Sequence, residues 1–185
     1  MAETLIISAD QVRALTTISD NVDGNYLRPC IYEAQEIGLS EIIGSSLLEK
    51  LKELVADGSI SNPANAAYKA LVDKCQFYLA YRAVVSLIPK VSWKVGNFGL
   101  CRSTDENLRE ATAGEIDVAI KDWQNQADDW CRAIQRFVLS NRAAYPELND
   151  CDANEIRATL FSAASCGVFL GGARGKIIRR GRCRK

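Results

Sequence analysis

Seven cysteines, a set of adjacent carboxylates and one glycine-rich stretch are the residues from which this chain would have to build chemistry. It has no histidine. That excludes Ser-His-Asp and Cys-His catalysis and imidazole-ligated zinc, and it removes the commonest general base at neutral pH. The cysteines are Cys30, Cys75, Cys101, Cys131, Cys151, Cys166 and Cys183. Their number is odd and no two are spaced as CxxC, so they read as reduced thiols of a cytosolic setting rather than metal ligands. Asp105-Glu106 and Asp128-Asp129 are adjacent pairs. Neighbours on a helix diverge and do not converge on one substrate, so both read as solvated faces. Gly171-Gly-Ala-Arg-Gly175-Lys176 resembles a phosphate loop. That loop needs a glycine where Leu170 stands and a hydroxyl where Ile177 stands. No catalytic residue, metal or cofactor is expected, and the chain is read as a non-enzyme.

Charge is more informative. Residues 174–185 hold seven basic side chains, Arg174, Lys176, Arg179, Arg180, Arg182, Arg184 and Lys185, and no acidic one. The remainder holds sixteen basic and twenty-three acidic residues, so the formal net charge of zero hides an acidic body and a basic tail. A block this short and this charged does not fold alone; it stays open or is ordered by an acidic partner. The two partners that fit are nucleic-acid phosphate and an acidic protein surface.

The elements that must position these groups are helical. At 185 residues and 48% apolar content one soluble globular domain is expected. The N-terminus lacks a charged n-region and is not read as a signal peptide. The apolar run 77–88 is interrupted by Arg82 and is too short to span a membrane. Ser8 and Gln11 form a capping box for a short helix ending near Leu15. Residues 26–37 predict a second helix, with Pro29 in its first turn and Ile31, Ala34 and Ile37 on one face. Gly38 and Gly44 punctuate the next stretch. Either Ser45 or Ser46 opens a helix through Ala56 with the stripe Leu47, Leu48, Leu51, Leu54 and Val55, closed by Asp57-Gly58. Asn62-Pro63 starts a helix that is apolar nearly all round from 77 to 88, and therefore central, until Pro89 stops it. Residues 91–102 alternate around Gly96-Asn97 and predict a β-hairpin. Either Ser103 or Thr104 caps the longest element. Its seam Ile116, Ile120, Trp123, Ala127, Trp130, Ile134 and Phe137 has four-three spacing. Unbroken from 105 to 142 it would be about 57 Å long; the alternative is a kink at Gly114. Trp123 and Trp130 read as inter-helix packing. Tyr145-Pro146 ends the helix.

The expected fold is mainly α: a bundle of about four to five helices with one long helix, an inserted hairpin and an extended C-terminal arm. The division falls between a helical domain, 1–148, and the arm with its basic tail, 149–185. Trp93, Phe98, Phe161 and Phe169 are the expected apolar contacts to other subunits.

Several short phrases carry a resemblance: Asn25-Tyr-Leu-Arg-Pro-Cys-Ile-Tyr-Glu-Ala-Gln-Glu36, Ile43-Gly44, Leu47-Leu48, Tyr78-Leu-Ala-Tyr81, Ile88-Pro89, Gly96-Asn97, Tyr145-Pro146-Glu147-Leu148 and the stretch from Ser162 to Lys176. Together they span nearly the whole chain. The chain resembles the head–tail connector, or adaptor, proteins of tailed bacteriophages, most clearly a diverged group from phages and prophages of gut anaerobes. The resemblance implies a small helical subunit of a ring, commonly of twelve copies, seated under the portal. Its partners would be itself, the portal protein and adjacent tail or ring proteins, with non-specific contact to packaged DNA. Its place would be the virion head–tail junction after synthesis in the host cytoplasm. The alternative expectation is a small helical nucleic-acid-binding protein that uses the basic tail.

Overall fold

A computed structural model of the chain describes residues 4–96, 99–102, 112–148 and 156; from 92 to 102 the description is of the backbone alone. The described part is mainly α. In chain order the elements are α1 (Ala9–Leu15), α2 (Gly24–Glu33), a π turn (Ala34–Leu39), α3 (Ser40–Ile43), α4 (Ser45–Ala56), α5 (Ala66–Ser92), strands β1 (Trp93–Gly96) and β2 (Gly99–Arg102), and α6 (Ala113–Ser140). Because α2, the π turn and α3 are continuous, these make five helical rods among the described residues. β1 runs antiparallel to β2 in the register Trp93↔Arg102 to Gly96↔Gly99.

The helix starts obey local chemistry. Ser8 Oγ accepts from the Gln11 amide at 3.2 Å and Gln11 Oε1 accepts from the Ser8 amide at 2.8 Å, the reciprocal box expected of α1. The Asp23 side chain caps α2 by accepting from the Asn25 amide at 2.9 Å. Starting α2 at Gly24 moves Pro29 beyond the first turn into the helix interior. A proline nitrogen there has no proton to return to the preceding turn, and the burial of Leu27, Cys30 and Ile31 on the same rod offsets that loss.

The rod from α2 to α3 is the main departure from the expected pattern. Leu27, Ile31, Gln35, Leu39 and Ile43 are all fully buried, while Ile37 is 60% exposed. A strict four-residue spacing drifts off the inner face of an ordinary helix, because 3.6 residues make a turn. The wider turn at 34–39 absorbs one extra residue and returns Leu39 and Ile43 to the core. Ile37 is the residue that the widening carries out to solvent. Gly38 lies inside this turn rather than ending the helix. Gly44, with φ 85°, is where the chain breaks direction into α4.

α4 runs as expected. Leu47, Leu48, Leu51 and Leu54 face inward, and Asp57-Gly58 closes it with Gly58 at φ 68°. Asn62 accepts from the Ala64 amide and caps a single 3-10 turn, Pro63–Asn65, which leads into α5. Pro89 does not stop α5, which continues to Ser92. Its last turn is held against α2 by Lys90, whose Nζ lies 2.7 Å from Glu33 Oε2.

α5 is central: it packs on α6 along one side and on α2, the π turn and α1 along others. Leu71, Cys75, Leu79, Ala80, Ala83 and Val84 are buried, whereas Phe77, Tyr81, Val85 and Ile88 are only half-buried. α6 begins at Ala113, capped by a Thr112–Glu115 box, so Gly114 sits in its first turn and introduces no mid-helix break. The chain therefore has two long helices, α5 and α6, rather than one, and α6 is about 42 Å long. After α6 the chain folds back on the start of α5. Tyr145 Oη donates to the Ala67 carbonyl at 3.0 Å, and Tyr68 Oη donates to Glu147 at 2.9 Å. The buried core also takes in Leu148 and Ile156, beyond the expected boundary at 148.

A methyl group at Gly38 would lie 2.5 Å from Tyr78 Oη, and Tyr78 is buried. Gly38→Ala is expected to cost about 1–3 kcal/mol by overpacking. In a Tyr78→Phe background, which removes the clashing oxygen, the same change is expected to be close to neutral. Urea unfolding of the four proteins in the cycle checks this.

Candidate functional site

The described structure has two ends of opposite character. At one end the π turn gathers three elements. Gln35 is fully buried, and its carboxamide acts as a backbone substitute. Oε1 accepts from the Ile6 amide at 2.9 Å, and Nε2 donates to the Thr4 carbonyl at 3.0 Å and to Glu36 Oε1 at 2.9 Å. This holds the extended segment before α1, so that Ile6 and Ile7 enter the core. Glu36 reaches Lys52 Nζ on α4 at 3.0 Å. Burial works against the Glu36 charge, but the hydrogen bonds from Gln35 and Lys52 outweigh it and lower its pKa. The Lys52 pKa is raised by its hydrogen bonds to Glu49 and Glu36 against the cost of burial.

Beside this hub is a groove of about 670 Å³. Ile6, Ile31, Val55, Ile60 and Val72 give it an apolar floor, and Ser8, Gln11, Asp23, Asn25, Arg28 and Gln76 give it a polar rim. Ser8 with Gln11, and Asp23 with Asn25, are engaged in capping α1 and α2. Capping thus engages four of the six rim residues. Among the described residues no group of three or more cysteine, aspartate or glutamate side chains is placed to hold a metal. The described cysteines, Cys30, Cys75 and Cys131, are free thiols. Burial pushes all three upward, Cys131 to about 11; Lys90 opposes the shift at Cys30 without reversing it. They are protonated at neutral pH and are poor nucleophiles.

At the other end α5 and α6 run side by side, and α2 is held to the last turn of α5 through Glu33 and Lys90. Phe77 stacks on Trp130 with ring centroids 4.5 Å apart and planes at 8°, and Tyr81 meets Trp123 at 5.4 Å. Lys74 Nζ lies 5.1 Å from the centre of the Phe137 ring. The rising partner numbers on α5 and the falling ones on α6 make the pair antiparallel. Trp123 and Trp130 are inter-helix packing, as their place on the seam predicts. The buried part of α5 ends at Leu87 and that of α6 begins at Ala127. Beyond those points Ile88, Ile116, Ile120 and Trp123 are half-buried, while Val91 and Val118 are exposed. Here β1 packs on β2 and on the end of α5.

Of the residues expected to make contacts, Trp93 alone lies among the described residues. Trp93 opens β1, where its backbone is described. Phe98, Phe161, Phe169 and the basic residues Arg174, Lys176, Arg179, Arg180, Arg182, Arg184 and Lys185 lie outside the described residues. Asp128 and Asp129 are solvent-exposed, and Asp129 pairs with Arg132 at 2.9 Å. Gln35 was not singled out by sequence reasoning. The available signal was the four-residue series 27, 31, 35, 39, 43, in which one glutamine stands among apolar residues.

This architecture defines a mainly α protein with a buried organising turn at one end and an antiparallel helix pair at the other. Residues 39–158 match the model of DUF6712, a family of unknown function. That is well over half of the chain, and the chain belongs to this family. Comparison with curated proteins finds no match, and comparison with solved structures finds none. No described helix is long and apolar enough to cross a membrane.

Gln35→Leu leaves the Ile6 amide and the Thr4 carbonyl without their partner. It is expected to cost about 2–3 kcal/mol and to open the segment before α1 to proteolysis; urea unfolding and limited digestion check both. A pH effect is expected from Glu36. Its folded pKa is lowered, so its contribution to stability is complete above the ordinary value of 4.5 and is lost as pH falls through the folded value. Glu36→Gln is expected to flatten the acid side of the stability–pH curve.

Proposed function

We propose that this chain is a structural virion subunit of a tailed bacteriophage, one copy of a ring that lies below the portal, joins head to tail and continues the DNA channel. The observation that carries the reading is the half-buried apolar seam at the start of α6, Ile116, Ile120 and Trp123, beside the strand insertion. An apolar helix seam that outruns its own core is a surface that a neighbouring copy is suited to cover. The phrases shared with connector proteins along the sequence point the same way, and the hairpin and C-terminal arm are the parts such subunits use to reach their neighbours.

In this reading the work is geometric. One surface of each subunit meets a different surface of the next, and the rotation closes the circle. Trp93 and Phe98 on the strand insertion, and Phe161 and Phe169 on the arm from 149 to 185, are the contacts to neighbours. Docking of the arm beyond Ile156 onto a neighbour makes assembly proceed in sequence from the portal outward. An acidic body repels DNA phosphate and lets the genome slide. The basic residues from Arg174 to Lys185 support a second reading, a helical nucleic-acid-binding protein gripping phosphate in a salt-dependent way.

Light scattering on the full chain, alone and with the portal protein encoded beside it, tests the proposal. A ring-sized mass is expected in at least one sample. A monomer in both, together with salt-dependent binding to DNA, would replace the proposal with the second reading. Trp93→Ala with Phe98→Ala is expected to abolish the ring-sized species while the thermal unfolding of the helical body is retained. Loss of the fold along with the ring would place these two side chains in the core instead.

A further inference from the structure

The outward face of α6's first half carries a pattern that the ring reading does not use. Val118 is 68% exposed, the largest exposure of any large apolar side chain among the described residues. Glu115 and Asp122 stand three and four residues from it on the same face, and Asp117 is its neighbour. This face is opposite the seam of Ile116, Ile120 and Trp123. From Glu115 to Asp129 the helix holds five carboxylates and one cation, Lys121. The helix dipole favours acidic residues only within the first turn, so it accounts for Glu115 and not for Asp122, Asp128 or Asp129.

The densest run of complementary charge in the chain is its last twelve residues. Lys176 and Arg179 flank Ile177-Ile178, inside the seven-cation block from Arg174 to Lys185. An acid–apolar–acid surface on α6 thus has a base–apolar–base counterpart in the sequence. We propose that, in the isolated chain, the basic segment 174–185 docks on the acidic outward face of its own α6, around Val118. The reach is sufficient. The chain is anchored at Ile156, which is buried in the core, and the eighteen residues from there to Arg174 span up to about 60 Å when extended. Tethering gives the segment an effective concentration of about a millimolar at its own helix, which favours it over a second copy at micromolar protein. Docked in this way, the tail is withheld from phosphate and from acidic partners until one of them competes it away.

Trypsin cleavage within residues 174–185 of the full chain, read by mass spectrometry and referred to a free peptide of the same sequence, tests this. Cleavage at low salt is expected to be about tenfold slower than in 0.5 M salt, where the ion pairs are screened. Asp117→Asn with Asp122→Asn is expected to remove the protection at low salt. Glu49→Gln with Glu53→Gln, which takes the same charge from the exposed face of α4, is expected to leave it in place. The protection is expected to survive dilution. Equal cleavage in all three proteins, or equal loss of protection in both variants, would overturn the proposal. Protection that disappears on dilution would also overturn it and assign the face to a second copy.

Discussion

A carboxamide buried without water must find partners inside the protein, and Gln35 finds them in the backbone of a segment twenty-nine residues earlier. Much of the described fold depends on that requirement. Gln35 reaches the inner face because the turn from Ala34 to Leu39 is widened, and the same widening keeps Leu39 and Ile43 in the core. Its three faces meet three elements: Gln35 holds the segment before α1, Glu36 holds α4 through Lys52, and Gly38 lets Tyr78 of α5 approach. A helix with ordinary spacing would present Ile37 where Leu39 now packs and would lose all three attachments in register.

The opposite end obeys a different constraint. α5 and α6 are joined along a ladder of aromatic pairs, and at the start of α6 the seam residues Ile116, Ile120 and Trp123 are only half-buried. A seam of half-buried isoleucine and tryptophan costs little when a neighbour covers it and is a liability when none does. The fold therefore divides its tasks: one end fixes the relative placement of five rods, and the other presents side chains without fixing what they meet.

Much of the helical content was legible in sequence because the signals are local. Ser8 with Gln11, Asn62 with Pro63, and Asp57-Gly58 all act within a turn, and the leucine stripe of α4 declares its own face. The widened turn was not legible, because three-residue spacing from Ile31 to Ala34 to Ile37 fits an ordinary helix as well as four-residue spacing fits a wide one. Only packing against α5 and the N-terminal segment decides between them. Pro29 and Pro89 misled in different ways. Pro29 reads as a first-turn residue but lies inside α2, where the burial of Leu27 and Ile31 offsets its missing donor; Pro89 reads as a stop signal, which the Lys90–Glu33 pair helps to override. The described α6 is capped by Thr112 with Glu115, a second match to the capping rule that Ser103 and Thr104 also fit; those two lie outside the described residues. As for the candidate contact surface, the four-three seam of α6 was readable, but where its burial stops was not, since that depends on how far α2 to α4 extend alongside.

Native-state hydrogen exchange, read at single residues, tests the central claim that the turn at 34–39 organises the fold. The account expects the Ile6 amide, bonded to Gln35, to exchange only through the same opening that exposes the amides of Leu39 to Ile43. Ile6 should then share their free energy of exchange and their dependence on denaturant. An Ile6 amide that exchanges through a separate and much cheaper opening, while residues 39–43 remain protected, would contradict it.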